Sequence, residues 1–225
     1  MNRRAWITTA LVGGLAVGAV ALASKALARS RVETPDYQLV ASYPSFEHRR
    51  YAPRLVAEVE VSGPSKQATN AGFRILADFI FGNNSKQTEV AMTAPVDRTA
   101  SETIEMTAPV DRTPAEPDAG QGEDGEDQWV IAFTMPSKYT RETLPQPNDA
   151  RVKIREIPPR DYAVMRFSGA PAEAKVEAKI AAFIAEVEDA GLERSGAPPT
   201  YARYDPPWTP GFLRRNEIFI ELALE

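Results

Sequence analysis

The chain has 225 residues, of which 43% are hydrophobic and 25% are charged, a profile typical of a globular protein with one substantial core. Its formal net charge of -5 offers no basic field for phosphates, and no Lys/Arg stripe interleaved with aromatic residues is present, so nucleic acid is not an expected partner. The chain has no cysteine, which excludes disulfides, thiolate metal sites and thiol nucleophiles.

The N-terminal segment differs in composition from the rest of the chain. An uncharged apolar run over residues 5–24 comes after Arg3 and Arg4, and a run of about 20 such residues is long enough to span a bilayer. Ala26-Leu27-Ala28 resembles a secretory cleavage site. Because basic residues stay on the cytoplasmic side, a cleaved signal and a retained anchor would both export the remainder of the chain.

We therefore expect residues 1–30 to be a hydrophobic leader helix, acting as a signal peptide or a membrane anchor. Residues 31–225 should form the folded domain, periplasmic or held on the outer side of the cytoplasmic membrane. The paired arginines resemble a twin-arginine signal, and the choice between that route and general secretion stays open.

The first half of the domain begins with a strand followed by a helix. Apolar residues alternate with Glu58 and Glu60 over residues 55–61, which predicts a half-buried strand. Ser62-Gly63-Pro64 ends it, and helical periodicity then extends over residues 65–81.

The second half repeats this order. Residues 162–167 form a strand-like run, and Gly169 and Pro171 stop it. A helix comes next, with an apolar stripe at 176, 180, 183, 184 and 187, and Gly191 ends it. Two such units indicate a pair of βαββ pseudo-repeats.

Further strands are predicted at residues 129–135, 152–155 and 218–222. No βαβ series with glycine-rich phosphate loops accompanies them. The sequence therefore predicts an α+β fold with a mostly antiparallel sheet and two helices packed on it.

The segment over residues 114–128 is acidic and lacks large apolar side chains. It cannot bury enough surface to offset its ordering entropy, so we expect a mobile surface loop there. A calcium site is the alternative, although the acidic residues lack EF-hand spacing.

An eight-residue sequence occurs twice, beginning at Met92 and again at Met106. One interpretation is two similar strands with an apolar residue packed inward and a proline that confines the point to an edge or a bulge. The other is that the two soft thioethers line one cavity.

Several motifs together resemble the SOUL heme-binding family. Tyr204-Asp205-Pro206-Pro207 followed by Arg214-Arg215-Asn216-Glu217 is the most specific of them. The others lie at residues 90–96 with their second copy, 133–139, 144–148 and 166–169, and the resemblance extends from Val32 to the C-terminus.

The resemblance implies a distorted antiparallel β-barrel built from two βαββ repeats with two flanking helices. It also implies a heme or other porphyrin held non-covalently in an apolar cleft beside the first helix, with cations near the propionates. The residues that would form this site are Asn70, Phe73, Arg74, Leu76, Met92 and Met106. The resemblance implies that Asn70 stands where the animal heme-binding members place a propionate-binding arginine, and Arg74, one turn along, could substitute.

Two further features leave alternatives open. His48 is the lone histidine and the only conventional nitrogen ligand for heme iron, but the family position normally carries an aliphatic residue. Arg214 and Arg215 could bind ligand carboxylates or pair with Glu217 and the Tyr204-Asp205 turn.

No catalytic motif is recognisable in the sequence. The expected function is reversible tetrapyrrole binding for transport, buffering or delivery. The alternatives are an enzyme acting on a tetrapyrrole or small amphiphile, and a non-catalytic stress or interaction adaptor with a vestigial cleft.

Overall fold

The computed structural model describes residues 33–85, 102–115, 127–206 and 208–223. The leader, the first copy of the octapeptide and residues 116–126 of the acidic segment lie outside these ranges. Neither described helix combines the length and the apolar character that a membrane crossing needs.

The described strands, in chain order, are β1 (Tyr37–Ser42), β2 (Glu47–Tyr51), β3 (Arg54–Ser62), β4 (Asn84–Ser85), β5 (Val110–Pro114), β6 (Gln128–Thr134), β7 (Gln146–Pro147), β8 (Lys153–Ile157), β9 (Arg160–Ser168), β10 (Thr200–Arg203) and β11 (Arg215–Glu221). The helices are α1 (Ser65–Ile80) and α2 (Glu173–Asp189), and a 3-10 turn covers Gly211–Leu213. The structure confirms both predicted helices of the folded domain and the strands predicted at residues 55–61, 129–135, 152–155, 162–167 and 218–222, with ends that differ by a few residues. The predicted leader helix lies outside the described residues.

The described strands form one nine-stranded antiparallel sheet in the order β1-β2-β9-β11-β10-β5-β6-β3-β8, and β4 pairs separately with β7. The sheet is curled, so that its two edges approach each other. Residues of edge strand β8 line the same cavity as Pro35, which lies just before the opposite edge strand, β1. The predicted α+β class is confirmed, and the sheet is an open half-barrel.

Glycine allows the chain to leave a strand and enter a helix in both halves. Gly63 comes after β3 with a φ of 107°, and Gly169 comes after β9 with a φ of 124°. Side chains with a Cβ rarely adopt such values. The glycines that the sequence suggested as strand stops therefore have a direct backbone role.

The two helices pack on one face of the sheet. Alternate residues of β3 and β6, including Val59 and Ile131, face α1 in one core cluster. Residues of β9 and β11, including Ala163 and Ile218, face α2 in a second cluster. The intervening residues of the same strands point to the other, concave face, where Tyr162 and Phe219 belong to an aromatic cluster.

Candidate functional site

The outer surface of α1 carries a mixed apolar and polar stripe. Asn70, Phe73, Arg74 and Ala77 are spaced by three or four residues, which places them on one side of α1, and Phe81 continues this spacing at the residue directly after the helix. Phe73 is 37% exposed and Phe81 is 61% exposed. Two exposed aromatic residues on one helix stripe, beside a cation and an amide, make this surface suitable for a flat amphiphilic molecule.

Phe73 is held in place from below by an aromatic contact. Its ring lies edge-on to the ring of Phe133, with centroids 5.4 Å apart and an interplanar angle of 64°. Phe133 is buried on β6. One part of Phe73 is therefore anchored to the core while the rest remains available to a ligand.

Residues 102–109 run beside α1 and bring Met106 to the same region. The backbone N–H of Ile104 donates to the carbonyl of Ile80 at 2.7 Å, and the hydroxyl of Thr107 donates to the carbonyl of Thr134. Met106 lies between these two attachments and is 41% exposed. The second octapeptide thus places its methionine at the surface and its last four residues in β5.

The remaining two predicted site residues, Leu76 and Met92, are not seen at the surface of α1. Leu76 is completely buried in the core beneath α1, so it supports the helix surface from inside. Met92 lies outside the described residues. Asn70, Phe73, Arg74 and Met106 are the predicted site residues that the structure shows at the surface.

A polar group near the C-terminal end of α1 was not predicted from the sequence. The hydroxyl of Tyr139 donates to Glu102 Oε1 at 2.9 Å, and Lys138 Nζ lies 3.3 Å from Glu105 Oε2. Burial and the carboxylate of Glu102 raise the pKa of Tyr139 to about 12, so its hydroxyl remains a donor at neutral pH. These residues come from segments distant in sequence, which explains why no local pattern indicated them.

The concave face of the sheet holds a separate cavity of about 230 Å³. Val56, Val130, Ala132 and Phe219 supply apolar lining. This cavity lies on the face opposite α1, because Ile131 and Phe133 alternate with Val130 and Ala132 and belong to the core under the helix.

Two polar atoms at this cavity lack hydrogen-bond partners. Arg54 Nη1 and Asp111 Oδ1 are both buried and unpaired, and both residues line the cavity. Burial raises the pKa of Asp111 to about 7, opposed by the nearby Arg54 and reinforced by Glu217.

Comparison with known families identifies the chain. A family model described as SOUL heme-binding protein matches residues 32–221. The chain belongs to the SOUL heme-binding protein family. The resemblance carried by the sequence motifs is confirmed over essentially the whole described domain.

Solved structures show that this SOUL fold is shared more widely. The chain is 13% identical to the EcmrR C-terminal domain, covering 84% of this chain and 99% of that one with a TM-score of 0.53. It is 12% identical to a hydrolase encoded by lin2189 from Listeria innocua, covering 82% and 94% with a TM-score of 0.51. A chain in an EcmrR–DNA complex is 13% identical, covering 96% and 68% with a TM-score of 0.50.

At these identities the similarity shows the fold alone. The hydrolase activity and the DNA binding named for these structures are therefore properties of those proteins. A search of curated proteins found no match. The expectation that nucleic acid is not a partner of this SOUL chain stays a prediction.

The C-terminal SOUL motif forms a buried polar network. Glu217 is fully buried and accepts hydrogen bonds from Tyr204 at 2.6 Å, Arg215 Nη2 at 2.8 Å and Arg49 Nη1 at 3.2 Å. Asp205 accepts from the backbone N–H of Arg215 at 2.6 Å. Burial, followed by the charge of Glu217, raises the pKa of Tyr204, so its hydroxyl remains a donor. The structural interpretation of Arg215 is therefore confirmed.

His48 lies far from the α1 surface within this SOUL domain. It is on β2, five strands from β6 in the sheet order, and its Nε2 is 2.9 Å from Asp161 Oδ2. Arg50 binds the same carboxylate at 2.7 Å and 2.8 Å. The hydrogen bonds from Arg50, together with the one to His48, keep the pKa of Asp161 below its usual range.

Proposed function

We propose that this SOUL protein binds heme or a related tetrapyrrole non-covalently on the outer surface of α1, for transport, buffering or delivery. The observation that carries the proposal is the exposed stripe containing Phe73 and Phe81, in a chain whose family model is that of heme-binding proteins. Met106 extends the apolar area from the neighbouring segment.

Apolar contact supplies most of the binding free energy in this proposal. Burial of roughly 300–400 Å² of apolar surface, at about 25 cal/mol per Å², contributes about 8–10 kcal/mol before the costs of association. Iron ligation is not required at that magnitude. His48 is too far along the sheet to coordinate an iron held against α1.

The polar residues of the stripe would orient the ligand. Arg74 is exposed on the same side of α1 as Phe73, where its guanidinium can pair with a propionate while the ring system covers the aromatic residue. Asn70, one turn earlier, can donate a neutral hydrogen bond. This arrangement replaces the arginine that heme-binding members place at the position of Asn70.

Hemin titration of the full chain, followed by the Soret band, tests the proposal. Phe73→Asp should weaken binding at least about tenfold, because it replaces apolar contact by a charge that must be desolvated. Phe212→Asp is the matched control, since Phe212 is also an exposed phenylalanine but lies on the 3-10 turn before β11. Equal weakening by both changes, or by neither, would contradict the proposed surface.

The propionate contact can be tested separately. Arg74→Met should weaken hemin binding by about two- to fivefold, the range expected for one exposed ion pair. It should leave the affinity for hemin dimethyl ester unchanged. An equal loss for acid and ester would remove Arg74 from the proposed contact.

The methionine pair is tested by changing both Met92 and Met106 to Glu. We expect the Soret shift to disappear while the far-UV circular dichroism spectrum persists. Unchanged hemin affinity would exclude these side chains from the site. Analysis of the porphyrin after prolonged incubation distinguishes binding from catalysis, because an enzyme would release an altered product.

We also propose that the domain acts outside the cytoplasmic membrane, delivered or tethered by residues 1–30. The support is the uncharged run after Arg3 and Arg4. Fractionation of cells that express the chain, with mass spectrometry of its N-terminus, should find the domain outside and report any cleavage. Recovery of the intact chain from the cytosol would contradict this proposal.

Finally, we propose that the domain is a structural duplication. The support is the sheet order, in which β9-β11-β10 in one half corresponds to β3-β6-β5 in the other. Each first strand in these sets continues into a helix on the same face. Superposition of the two halves in a crystal structure of the domain is the direct test, and helices on different sides of the superposed strands would refute the duplication.

A further inference from the structure

The cavity on the concave face has features of a second ligand site. At about 230 Å³ it is smaller than the ~300–1,000 Å³ of typical drug-sized pockets, so a tetrapyrrole does not fit there. Its lining comes from both halves of the sheet, including Val130 of β6 and Phe219 of β11. Any occupant is therefore a small molecule, and these two side chains offer it an apolar contact.

Most charged groups along the cavity already have a partner from the cavity lining itself. Arg155 Nη2 lies 2.7 Å from Glu58 Oε2, and Arg160 Nη1 lies 3.2 Å from Glu221 Oε1. Arg54 and Asp111 differ, because each keeps one buried atom without a hydrogen bond. A buried unpaired donor and a buried unpaired carboxyl oxygen each destabilise the folded protein, and a ligand that forms hydrogen bonds with both would remove this cost.

Arg54 is fixed in position by two aromatic rings. The carbon at the centre of its guanidinium lies 5.3 Å from the ring centroid of Tyr51 and 5.7 Å from that of Tyr162. Tyr51 and Tyr162 belong to the half of the sheet that carries α2, whereas Arg54 is on β3 of the other half. The cation is thus held across the two halves before any ligand arrives.

We propose that this cavity binds a small monocarboxylic acid whose carboxylate accepts a hydrogen bond from Arg54 and shares a proton with Asp111. The apolar body of the acid would lie against Val130 and Phe219. Both unpaired atoms are satisfied by the two carboxylate oxygens of such a ligand, and the complex carries no uncompensated charge.

The protonation of Asp111 sets the pH dependence of this site. With a pKa of about 7, the carboxyl is mostly protonated at pH 6 and mostly ionised at pH 8. Because the complex needs the protonated form, affinity for a carboxylate should fall about tenfold from pH 6 to pH 8. The charged and titratable groups that line the cavity with Asp111 are Arg54 on β3, Tyr51 on β2, Tyr162 on β9, Tyr204 after β10, and the paired Glu58, Arg155, Arg160 and Glu221. Glu217 on β11 also acts on Asp111 through its charge, and Arg49 and Arg215 are bound to Glu217.

The test uses isothermal titration of the full chain with benzoate and with benzamide, its neutral isostere. We expect benzoate to bind at least about tenfold more tightly than benzamide at pH 6, since only benzoate forms the charge-assisted pair with Arg54. At pH 7.5, titrations in buffers of different ionisation enthalpy should show uptake of about three quarters of a proton per benzoate. Benzamide binding as tightly as benzoate, no proton uptake, or no benzoate binding at millimolar concentration would each overturn the proposal.

Two variants make the roles of the residues separable. Asp111→Asn retains a donor at that position, so benzoate should still bind and its affinity should no longer change between pH 6 and pH 8. Arg54→Met should lose at least about tenfold in affinity, whereas Arg151→Met, an exposed arginine paired with Asp149, should change nothing. Persistence of the pH dependence in Asp111→Asn, or unchanged affinity in a folded Arg54→Met, would overturn the proposal.

This inference is independent of tetrapyrrole binding on α1. Asp111→Asn should leave hemin affinity unchanged, and Phe73→Asp should leave benzoate affinity unchanged, because the two sites lie on opposite faces of the sheet. The failure of one proposal therefore leaves the other in place.

Discussion

The close approach of α1 to the sheet makes Gly72→Ala a sensitive test of the packing that presents the helix surface. A Cβ at position 72 would lie 2.5 Å from Cγ1 and 2.8 Å from Cβ of Ile131, which is completely buried on β6. Ordinary carbon contacts are about 3.5–4.0 Å, so helix and strand must separate by about 1 Å.

The expected magnitude is a balance of two effects. Overpacking of this kind costs about 1–3 kcal/mol, and replacing a helical glycine by alanine contributes about 1 kcal/mol in the opposite direction. Because Ile131 is β-branched and stiff, we expect the clash to cost about 2–3 kcal/mol, the upper part of that range, so the free energy of unfolding should fall by about 1–2 kcal/mol.

Urea unfolding followed by circular dichroism measures this change. Ala71→Gly, the exposed neighbour on the same helix, is the control for helix propensity alone and should cost about 1 kcal/mol. The double change Gly72→Ala and Ile131→Ala should be less destabilising than the sum of its parts by at least about 1 kcal/mol. A stabilised Gly72→Ala protein, or strict additivity with Ile131→Ala, would refute the packing argument.

Three further outcomes are expected from the polar contacts. Glu217→Gln should lower the free energy of unfolding by about 1–3 kcal/mol, measured by urea unfolding, because it removes the buried carboxylate that Arg49 and Arg215 share and leaves Glu47 as the remaining carboxylate partner of Arg49. Asp161→Asn should destabilise the domain at pH 7, since Arg50 depresses the pKa of Asp161 in the folded state. The difference in stability between the variant and the unchanged protein should shrink as the pH falls below about 4. A difference in thermal melts that stays constant down to low pH would contradict this. His48→Ala should leave the Soret maximum and affinity of the hemin complex unchanged, and a shifted maximum would assign the histidine to the iron.

Local periodicity was sufficient to identify most elements of the fold. The alternation around Glu58 and Glu60 predicted β3, and the helical stripe with Gly191 at its end predicted α2. These patterns are local because each records which side of one element faces the core. The order of the strands in the sheet depends on pairing between distant segments, such as β5 with β10, and no local pattern encodes it.

The residues of the C-terminal motif that identify the family have a structural role. Tyr204, Arg215 and Glu217 made the family evident in the sequence, and in the structure they satisfy one another in a buried network. Their pattern therefore reports how the fold is held together. The α1 surface carries the proposed function with far less distinctive residues.

The concave cavity could not be predicted from the sequence, because it depends on how distant strands come together. Arg54 and Asp111 are separated by many residues, and each alone resembles an ordinary strand residue. Only the curl of the sheet brings them to one cavity and leaves Arg54 Nη1 and Asp111 Oδ1 without partners. Unsatisfied hydrogen-bonding capacity is a property of the assembled structure.

Hemin titration of the full chain, with Phe73→Asp and Phe212→Asp beside it, tests the central claim most directly. We predict a saturable one-to-one Soret shift that Phe73→Asp weakens at least about tenfold and Phe212→Asp leaves unchanged. A Soret band that does not shift, or a shift that never saturates, would contradict tetrapyrrole binding at the surface of α1.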